Sequence, residues 1–205
     1  MKIIYIASSI IPSRSANSIQ VMKMCNAFAK NGNDVTLIVP DAKNGREPHI
    51  TDLYSFYKVE PCFKIVRERW FPFRGRGFIF SFLSAIKAFI NRPNIVYGRN
   101  ILGCSFTALF GIPTVLEVHQ PIKYLSLTAD FFFRLVIIRK SFKRLVVISN
   151  SLSRYYRIYY EQLKSLIVIA PDGADPIEKN LSSNEKEPSS ERLQVGYIGH
   201  LYEGK

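Results

Sequence analysis

Short apolar runs alternate along this chain with longer segments in which apolar residues recur at helical spacing. Residues 2–7 and 35–39 are two such runs, and between them Ile19, Met22 and Cys25 recur at every third position. A continuous apolar run predicts a strand buried on both faces, and the periodicity between runs predicts an amphipathic helix. Because strands joined through helices lie parallel in one sheet, the alternation predicts an α/β fold with a Rossmann-like parallel sheet and helices on both faces.

The same alternation continues to residue 169. Further strands are predicted at 63–66, 95–97, 114–118, 145–148 and 166–169, and further helices at 78–90, 102–110, 124–142 and 152–163. Asn17, followed three residues later by Gln20, predicts a capping box at the start of the first helix. Gly32 and Gly111 stand where helices commonly end, so they predict the ends of two helices.

The composition is that of a globular chain in a reducing compartment. Of the 205 residues, 47% are apolar and 21% are charged, which excludes a wholly disordered chain. Cys25, Cys62 and Cys104 form no CxxC pair, so neither a disulfide framework nor a zinc site is expected. The apolar run at the start is too short for a signal peptide, and no run reaches the roughly 20 residues of a membrane span. We therefore expect a cytoplasmic protein that can associate peripherally with the inner face of the membrane.

Positive charge is concentrated in residues 1–171. They carry 24 basic and 9 acidic side chains, whereas residues 172–205 carry 4 and 7. A segment this basic attracts anions, such as nucleic acid, an anionic membrane or phosphorylated ligands. The alternative is an ordinary solvated surface on which each cation is surrounded by water.

Polar side chains follow the ends of several predicted strands, where parallel α/β sheets bind ligands. The candidates for substrate contact are Ser8, Ser9, Asn17, Arg99, Asn100, Glu117, His119, Ser149, Asp172 and Gly173. The loop after the first strand lacks GxGxxG, which argues against an NAD-dependent dehydrogenase. His119 is the most versatile candidate, because a neutral imidazole both accepts hydrogen bonds from hydroxyl groups and donates to them. A packing or capping role for His119 and a structural ion pair between Arg99 and Glu117 are the alternatives.

Seven segments occur in the order found in one enzyme family. They are residues 2–9, 32–38, 95–100, 111–119, 147–151, 169–175 and 195–205. Together they resemble the amino-terminal domain of the family-4 glycosyltransferases, which are retaining enzymes of the GT-B fold. The resemblance runs along the whole chain and depends on no single motif.

This resemblance implies two Rossmann-like domains that face each other across a cleft. The first contacts the acceptor, and the second binds a nucleotide-sugar as co-substrate, with neither a permanently bound cofactor nor a metal. His119 matches the family histidine that lies near the transferred sugar, so it is the catalytic residue that the resemblance predicts. Gly199, His200 and Lys205 match the positions that hold the donor diphosphate.

Two positions depart from the family pattern. His200 stands where the family has an arginine, and an imidazole lacks the fixed fork of a guanidinium. The first loop has Ala16 and Asn17 where the family often has glycines. Both departures weaken the expected hold on a diphosphate.

The expected domain boundaries follow the composition. Residues 1–175 are expected to form the acceptor-binding domain, the polar residues 176–192 a linker, and residues 193–205 the first strand of an incomplete, truncated donor domain. A strand that returns to the edge of the first sheet is the alternative. The expected function is the acceptor-binding half of a retaining glycosyltransferase that acts on a glycan or lipid-linked acceptor in envelope or polysaccharide synthesis, inactive by itself. The alternative is a non-catalytic membrane-binding or partner-binding module derived from such an enzyme.

Residues 64–92 and 123–164 combine basic and aromatic side chains. Such a mixture suits an anionic membrane surface, and it also suits single-stranded nucleic acid. Packing of the aromatic residues in the core is the third explanation. Because no nucleic-acid-binding motif accompanies them, we expect contact with a membrane and no contact with nucleic acid.

Overall fold

Seven parallel strands form one sheet in the computed structural model, which describes residues 1–173. The strands are β1 (Lys2–Ile6), β2 (Asp34–Pro40), β3 (Lys64–Glu68), β4 (Ile95–Gly98), β5 (Thr114–Val118), β6 (Phe142–Val147) and β7 (Ile167–Ile169). Their order across the sheet is β3-β2-β1-β4-β5-β6-β7. The predicted linker and donor strand, with Gly199, His200 and Lys205, lie outside the described residues, so these expectations stay predictions.

Helices connect successive strands, as the alternating sequence predicts. They are α1 (Ala16–Lys30), α2 (Leu53–Phe56), α3 (Arg76–Asn91), α4 (Ile101–Leu109), α5 (Leu127–Val136) and α6 (Asn150–Tyr159). Two single-turn 3-10 helices, Ile122–Tyr124 and Glu161–Leu163, follow β5 and α6. The sequence did not predict α2, because a helix of four residues is too short to show a period. In the part of the chain that the structure describes, no helix is long and apolar enough to cross a membrane.

Alternate side chains of β1 pack against helices on opposite faces of the sheet. Ile3 and Tyr5 lie in a buried cluster with Met22 of α1. Ile4 lies in a second cluster, with Phe80 of α3. Because successive strand residues point to opposite faces, this division confirms the predicted α/β fold with helices on both faces.

A third cluster covers the β5–β6 side of the sheet around the ring of Phe133. The rings of Tyr160 and Tyr156 lie 5.2 and 6.0 Å from it, centroid to centroid. Both tyrosines are almost fully buried, whereas Tyr159 on the same helix is exposed. Replacement of such a buried aromatic residue by alanine costs about 3–5 kcal/mol of folding free energy, so this cluster anchors the second half of the sheet.

The N-cap of the first helix lies two residues before the predicted one. Ser15 is the N-cap, and its Oγ accepts a hydrogen bond from the backbone N–H of Ser18 at 3.3 Å. Asn17 is therefore an exposed residue of the first turn, and the predicted capping box is wrong. At the other end, Gly32 has a φ of 77°, the left-handed backbone that a helix-ending glycine supplies.

The predicted long helix at 124–142 is wrong because Ser126 interrupts it. The Oγ of Ser126 accepts a hydrogen bond from the backbone N–H of Ala129 and so starts α5 after the 3-10 turn. The helix ends at Val136, and Phe142 begins β6 with its side chain buried. Burial of Phe142 in the sheet overrides the helical pattern that its apolar neighbours show in the sequence.

Gly98 brings the end of β4 into close contact with β1. A Cβ on Gly98 would collide with the backbone oxygen of Ile6 and lie 3.0 Å from Sγ of Cys104. The same oxygen accepts hydrogen bonds from the backbone N–H groups of Arg99 at 3.1 Å and Asn100 at 3.3 Å. Because the connections leave β1 and β4 toward opposite edges of the sheet, this junction is the crevice where doubly wound sheets bind ligands.

Candidate functional site

A buried carboxylate lies at the centre of the polar groups beyond β4 and β5. Glu117 belongs to β5, and its side chain is only 4% exposed. Its Oε1 lies 2.7 Å from Nε2 of His119, and its Oε2 accepts a hydrogen bond of 2.7 Å from the hydroxyl of Tyr97. The i, i+2 spacing of Glu117 and His119 in an extended segment places both side chains on one face.

Arg99 supplies the positive charge beside this carboxylate. Its Nε lies 3.6 Å from Oε1 of Glu117, and its Nη1 donates a hydrogen bond of 2.7 Å to Oε1 of Gln20 on α1. The alternative raised by the sequence, an Arg99–Glu117 ion pair, is thus present. Since a buried carboxylate needs compensating partners, the pair also explains how Glu117 can stay charged at this depth.

Burial and hydrogen bonding act in opposite directions on Glu117. Burial by itself raises the pKa of Glu117, but the hydrogen bonds to His119 and Tyr97 and the charge of Arg99 together lower it below its ordinary value. For Tyr97, burial and the neighbouring charge of Glu117 raise the pKa far above its ordinary value. At neutral pH the site therefore holds an ionised glutamate beside a neutral tyrosine that only donates to it.

The ionised Glu117 determines which nitrogen of His119 faces a ligand. A carboxylate only accepts hydrogen bonds, so Nε2 of His119 is the donor in this contact. In the tautomer that carries its only proton on Nε2, Nδ1 is an acceptor, and it lies 3.7 Å from Oδ2 of Asp172. The site can therefore accept a hydrogen bond from a hydroxyl group at Nδ1 of His119.

Asp172 and Gln20 extend the network toward solvent. The Nε2 of Gln20 donates a hydrogen bond to Oδ1 of Asp172, which follows β7 and is exposed. Gln20 thus bridges Asp172 and Arg99, and one network connects Gln20, Arg99, Glu117, His119 and Asp172. Four of these five residues were candidates from the sequence.

Gln20 and Tyr97 are the network residues that sequence reasoning missed. Gln20 was interpreted only as a partner in a helix cap. It lies three residues after the candidate Asn17, which is nearly one helical turn, so the two residues share a side of α1. Tyr97 was interpreted only as a strand residue. Its position two residues before Arg99 was the available signal, because alternate residues of a strand share a face.

Tyr156 fixes the loop that directly follows His119. Its hydroxyl accepts a hydrogen bond from the backbone N–H of Ile122 and donates one to the carbonyl of Gln120, both at 3.0 Å. Because Tyr156 is almost fully buried, it holds this loop against α6.

The side chain of Asn100 is engaged in structural contacts at both Oδ1 and Nδ2. Its Oδ1 accepts hydrogen bonds from the backbone N–H of Gly103 at 2.5 Å, as the N-cap of α4, and from Oγ of Ser81 at 2.9 Å. Its Nδ2 donates to Oγ of Ser8 at 2.6 Å. Asn100 therefore orients Ser8, which is exposed.

The remaining candidates do not join this network. Ser149 is the N-cap of α6, and its Oγ accepts a hydrogen bond from the backbone N–H of Leu152 at 3.2 Å. Ser9 is buried, and its Oγ has no hydrogen-bond partner in the described structure. Asn17 and Gly173 are exposed.

Glu117, His119 and Asp172 also resemble a set of metal ligands. Each offers one ligand atom, and these atoms lie within 4.8 Å of one another. In this arrangement, however, Nε2 of His119 is hydrogen-bonded to Glu117, and the cationic Arg99 lies beside the same carboxylate. The groups present therefore fit a hydrogen-bonded network better than a cation site, and the expectation of no metal stays a prediction.

Three solved structures with the same fold are named for a sugar or sugar nucleotide or were solved with one. Sucrose-phosphate synthase from Thermosynechococcus elongatus superposes with a TM-score of 0.61 at 14% identity, covering 85% of this chain and 49% of that one. HepE of Anabaena, solved in complex with UDP and glucose, gives 0.59 at 13% identity, covering 85% and 45%. UDP-GlcNAc 2-epimerase from Methanocaldococcus jannaschii gives 0.56 at 11% identity, covering 82% and 45%. At these identities the likeness shows the fold alone, and the chain spans less than half the length of each neighbour.

The sequence comparisons address the family. No curated protein gives a match to the sequence. The profile of Glycosyltransferase Family 4 matches residues 18–178, which include most of α1, the strands β4 and β5, and Asp172. This match covers well over half of the chain and agrees with the Rossmann-like sheet and its structural neighbours. The chain therefore belongs to glycosyltransferase family 4.

Proposed function

We propose that this chain is the acceptor-binding half of a retaining, metal-independent glycosyltransferase. It positions a glycan or lipid-linked acceptor in envelope or polysaccharide synthesis while a second domain presents a nucleotide-sugar. Membership of family 4 supports the reaction class, and HepE, a neighbour in fold, was solved with UDP and glucose. The observation that supports the site most directly is the pair formed by Glu117 and His119 at the carboxyl edge of the sheet.

The proposed role of His119 follows from that pair. Glu117 fixes Nε2 of the ring, so Nδ1 accepts a hydrogen bond from a hydroxyl of the transferred sugar or of the acceptor. A hydrogen-bonding group stabilises the transition state best when its position is set before the reaction. Tyr97 and Arg99 serve this purpose indirectly, because they hold the carboxylate that orients the ring.

The donor diphosphate is proposed to bind mainly outside the described residues. Gly199, His200 and Lys205 are the proposed contacts on this chain. Glycosyl transfer requires stabilisation of negative charge on the departing diphosphate, which a few contacts supply only in part. Under this proposal the chain needs a second domain for turnover.

The test joins this chain to the donor domain of a family-4 enzyme and assays transfer from a panel of nucleotide-sugars. A product with the anomeric configuration of the donor, formed at the same rate with and without EDTA, is the expected result. An inverted product would contradict the retaining mechanism, and loss of activity in EDTA would contradict independence from metals. The fusion with His119→Ala is the negative control for a contaminating transferase.

A membrane-binding role is the second candidate, and an exposed aromatic surface favours it. Phe78, Phe82 and Phe89 of α3 are exposed, although they lie on the same helix as the buried Phe80. Phe89 is 58% exposed, and its ring lies 5.9 Å from that of Phe110, which is also exposed. Core packing therefore explains only part of this aromatic stretch.

Exposed cations flank this aromatic surface. Arg74 and Arg76 lie before and at the start of α3, and Arg92 follows its end. Aromatic rings that enter the lipid interface, flanked by cations that attract anionic headgroups, are the usual elements of peripheral membrane binding. We propose that the inner face of an anionic membrane is contacted by the aromatic surface, which is formed by Phe78, Phe82, Phe89 and Phe110. This contact would occur in the intact enzyme or in a non-catalytic module derived from one.

A further inference from the structure

A cavity of about 560 Å³ lies beyond the carboxyl ends of β2 and β3, outside the network around Glu117. Lys43 follows β2, and Arg69, Trp70 and Phe71 follow β3. Arg76, the first residue of α3, also lines the cavity. The cavity therefore opens at the same edge of the sheet as the candidate site.

Its three cationic side chains form no ion pair with a carboxylate in the part of the chain that the structure describes. Lys43, Arg69 and Arg76 are exposed, and none forms an ion pair within residues 1–173. Asp41, the one carboxylate among the described residues that line the cavity, is paired with Arg46, with 2.5 Å between Oδ1 and Nη2. The cavity thus has an uncompensated positive charge, which favours an anionic occupant.

Glu68 directly precedes Arg69 in the chain, and its carboxylate is engaged by other groups. Its Oε2 lies 2.7 Å from Nζ of Lys87, and its Oε1 accepts a hydrogen bond from the backbone N–H of Arg69. The charges of Lys87 and Arg69 contribute to a lowered pKa of Glu68 against the opposing effect of burial. Glu68 therefore forms its ion pair with Lys87. The guanidinium of Arg69 remains available to bind an anion.

Trp70 gives the cavity a fixed aromatic wall. Its ring contacts the buried ring of Phe80 edge to face, with 6.0 Å between centroids. The guanidinium of Arg76 lies over the same indole, 5.0 Å from its centroid, so this cation is held in place before any ligand binds. The N-cap of α3 is Gly75, which provides no side-chain hydrogen bond, so the positive end of the helix dipole at Arg76 is not capped by a side chain.

We propose that this cavity binds a phosphate or diphosphate ester group of the acceptor, with the esterified sugar or first carbons packed against Trp70. The inference rests on the proposed function, since it names the chemical class of the acceptor. Guanidinium groups match phosphate oxygens with paired hydrogen bonds, and Arg69 and Arg76 supply two of them. Lys43 adds a third positive charge to the lining.

The position of the cavity fits an acceptor that also reaches His119. β2 and β5 are three strands apart in the sheet, which at about 4.8 Å per strand is about 14 Å. One hexose is too short for this distance, so an acceptor with its ester group in the cavity reaches Nδ1 of His119 only through an extended glycan. Phosphate binding and sugar transfer are then performed by different residues of the same edge.

Trp70 makes the proposal directly measurable, because it is the single tryptophan among the 205 residues. The chain is titrated with geranyl diphosphate, glucose 1-phosphate, inorganic pyrophosphate and geraniol while tryptophan fluorescence is recorded. We expect saturable changes with geranyl diphosphate or glucose 1-phosphate, tighter than with pyrophosphate, and none with geraniol. The first two ligands distinguish a lipid-linked ester from a soluble sugar phosphate.

Matched variants test the arginines. Arg69→Gln and Arg76→Gln should each raise the Kd of the bound ester by about tenfold, the usual effect of one charge-assisted hydrogen bond. Arg67→Gln is the control, because Arg67 is an exposed arginine of β3 that does not line the cavity, and its Kd should stay within twofold. Circular dichroism checks that each variant is folded.

Three outcomes would overturn the inference: no saturable change with either ester, binding of pyrophosphate as tight as that of the esters, or equal losses in Arg67→Gln and Arg69→Gln. The binding assay does not depend on turnover. Active fusion enzyme without ester binding would refute this inference alone, whereas ester binding without any transfer by the fusion would refute the proposed function.

Discussion

Glu117 holds the imidazole of His119 by a contact of 2.7 Å between Oε1 and Nε2, from a position that is almost closed to solvent. The carboxylate is held in turn by Tyr97 on the neighbouring strand and by Arg99 after it. Residues of the sheet and its edge therefore position Glu117, and Glu117 in turn positions the imidazole ring. His119 is thus oriented before a ligand arrives, and variants of the two residues should have different effects.

Replacement of Glu117 by glutamine should lower kcat of the fusion enzyme by about tenfold, because a neutral amide orients the imidazole less strongly than a carboxylate does. The KM for the acceptor should change much less, since Glu117 acts through His119. Steady-state kinetics measure both parameters. An unchanged kcat, or a loss confined to KM, would show that Glu117 does not position His119 for the reaction.

Replacement of His119 by alanine should lower kcat by about 10²–10³-fold, the scale of losing one preorganised group in the transition state. Folding should survive, because the side chain faces the edge of the sheet and is 23% exposed. His49→Ala is the matched control, since His49 is exposed and outside the network. Thermal midpoint and kcat should be measured on one preparation. A destabilised His119→Ala variant with normal turnover per folded molecule would identify His119 as a packing residue.

The lowered pKa of Glu117 predicts how stability depends on pH. The unfolded chain binds the proton at a higher pH than the folded protein does, so stability rises with pH between the two pKa values. The contribution of Glu117 is complete above the ordinary pKa of about 4.3 and is lost as the pH falls through its lower, folded value. Urea unfolding from about pH 3 to pH 6 should show this loss in the wild type.

Glutamine at position 117 should remove that component of the pH dependence. Glu60→Gln is the control for loss of one carboxylate, because Glu60 lies on the surface, paired with Lys30. The curve of Glu60→Gln should parallel that of the wild type. Identical pH dependence in Glu117→Gln and the wild type would mean that the folded protein does not lower this pKa.

The 205-residue chain by itself should show no glycosyl transfer above the rate without enzyme, because the proposed donor site needs a second domain. The assay uses nucleotide-sugars with glycan and lipid-linked acceptors. Turnover that disappears in His119→Ala would contradict this expectation and would place a working donor site within these 205 residues.

The sheet was predictable because its signals are local. The apolar runs at β1, β2 and β5 are each bounded by a helical period or a Pro or Gly, and all three strands formed within two residues of their predicted bounds. The prediction of one helix over residues 124–142 was wrong because the apolar residues keep a helical period across the points where α5 begins and ends. The start of α5 is set by the cap at Ser126, and the return to a strand is set by the burial of Phe142. The burial of Phe142 exists only in the folded sheet, so the sequence does not show it.

The site was predictable in its residues but not in its connections. Arg99, Glu117 and His119 could be identified because they lie at or just after the carboxyl ends of predicted parallel strands, where such sheets bind ligands. The contact from Gln20 could not be predicted, because the direction in which α1 presents its first turns depends on packing against the sheet. The cavity beside Trp70 was not predicted either, since it is formed by loops after two separate strands.

The exposed aromatic surface of α3 should bind anionic vesicles in a salt-sensitive way. Attraction between exposed charges and headgroups is screened within about 8 Å at physiological salt, so added salt should weaken binding. Arg74→Glu and Arg76→Glu should each weaken binding by about 2 kcal/mol, because each reversal changes two charges that are worth about 1 kcal/mol apiece near the surface. Phe89→Ser should reduce binding without changing its salt dependence, because the ring contributes apolar area only.

Flotation of the chain with phosphatidylcholine vesicles, with and without phosphatidylglycerol, measures this binding. Lys58→Glu is the control, since Lys58 is exposed and lies outside both basic, aromatic stretches. It should bind like the wild type, because binding that depends on one surface is insensitive to a charge elsewhere. Equal flotation with neutral and anionic vesicles would remove the membrane role. A loss in Lys58→Glu as large as that in Arg74→Glu would show attraction by net charge rather than by the surface around Phe89.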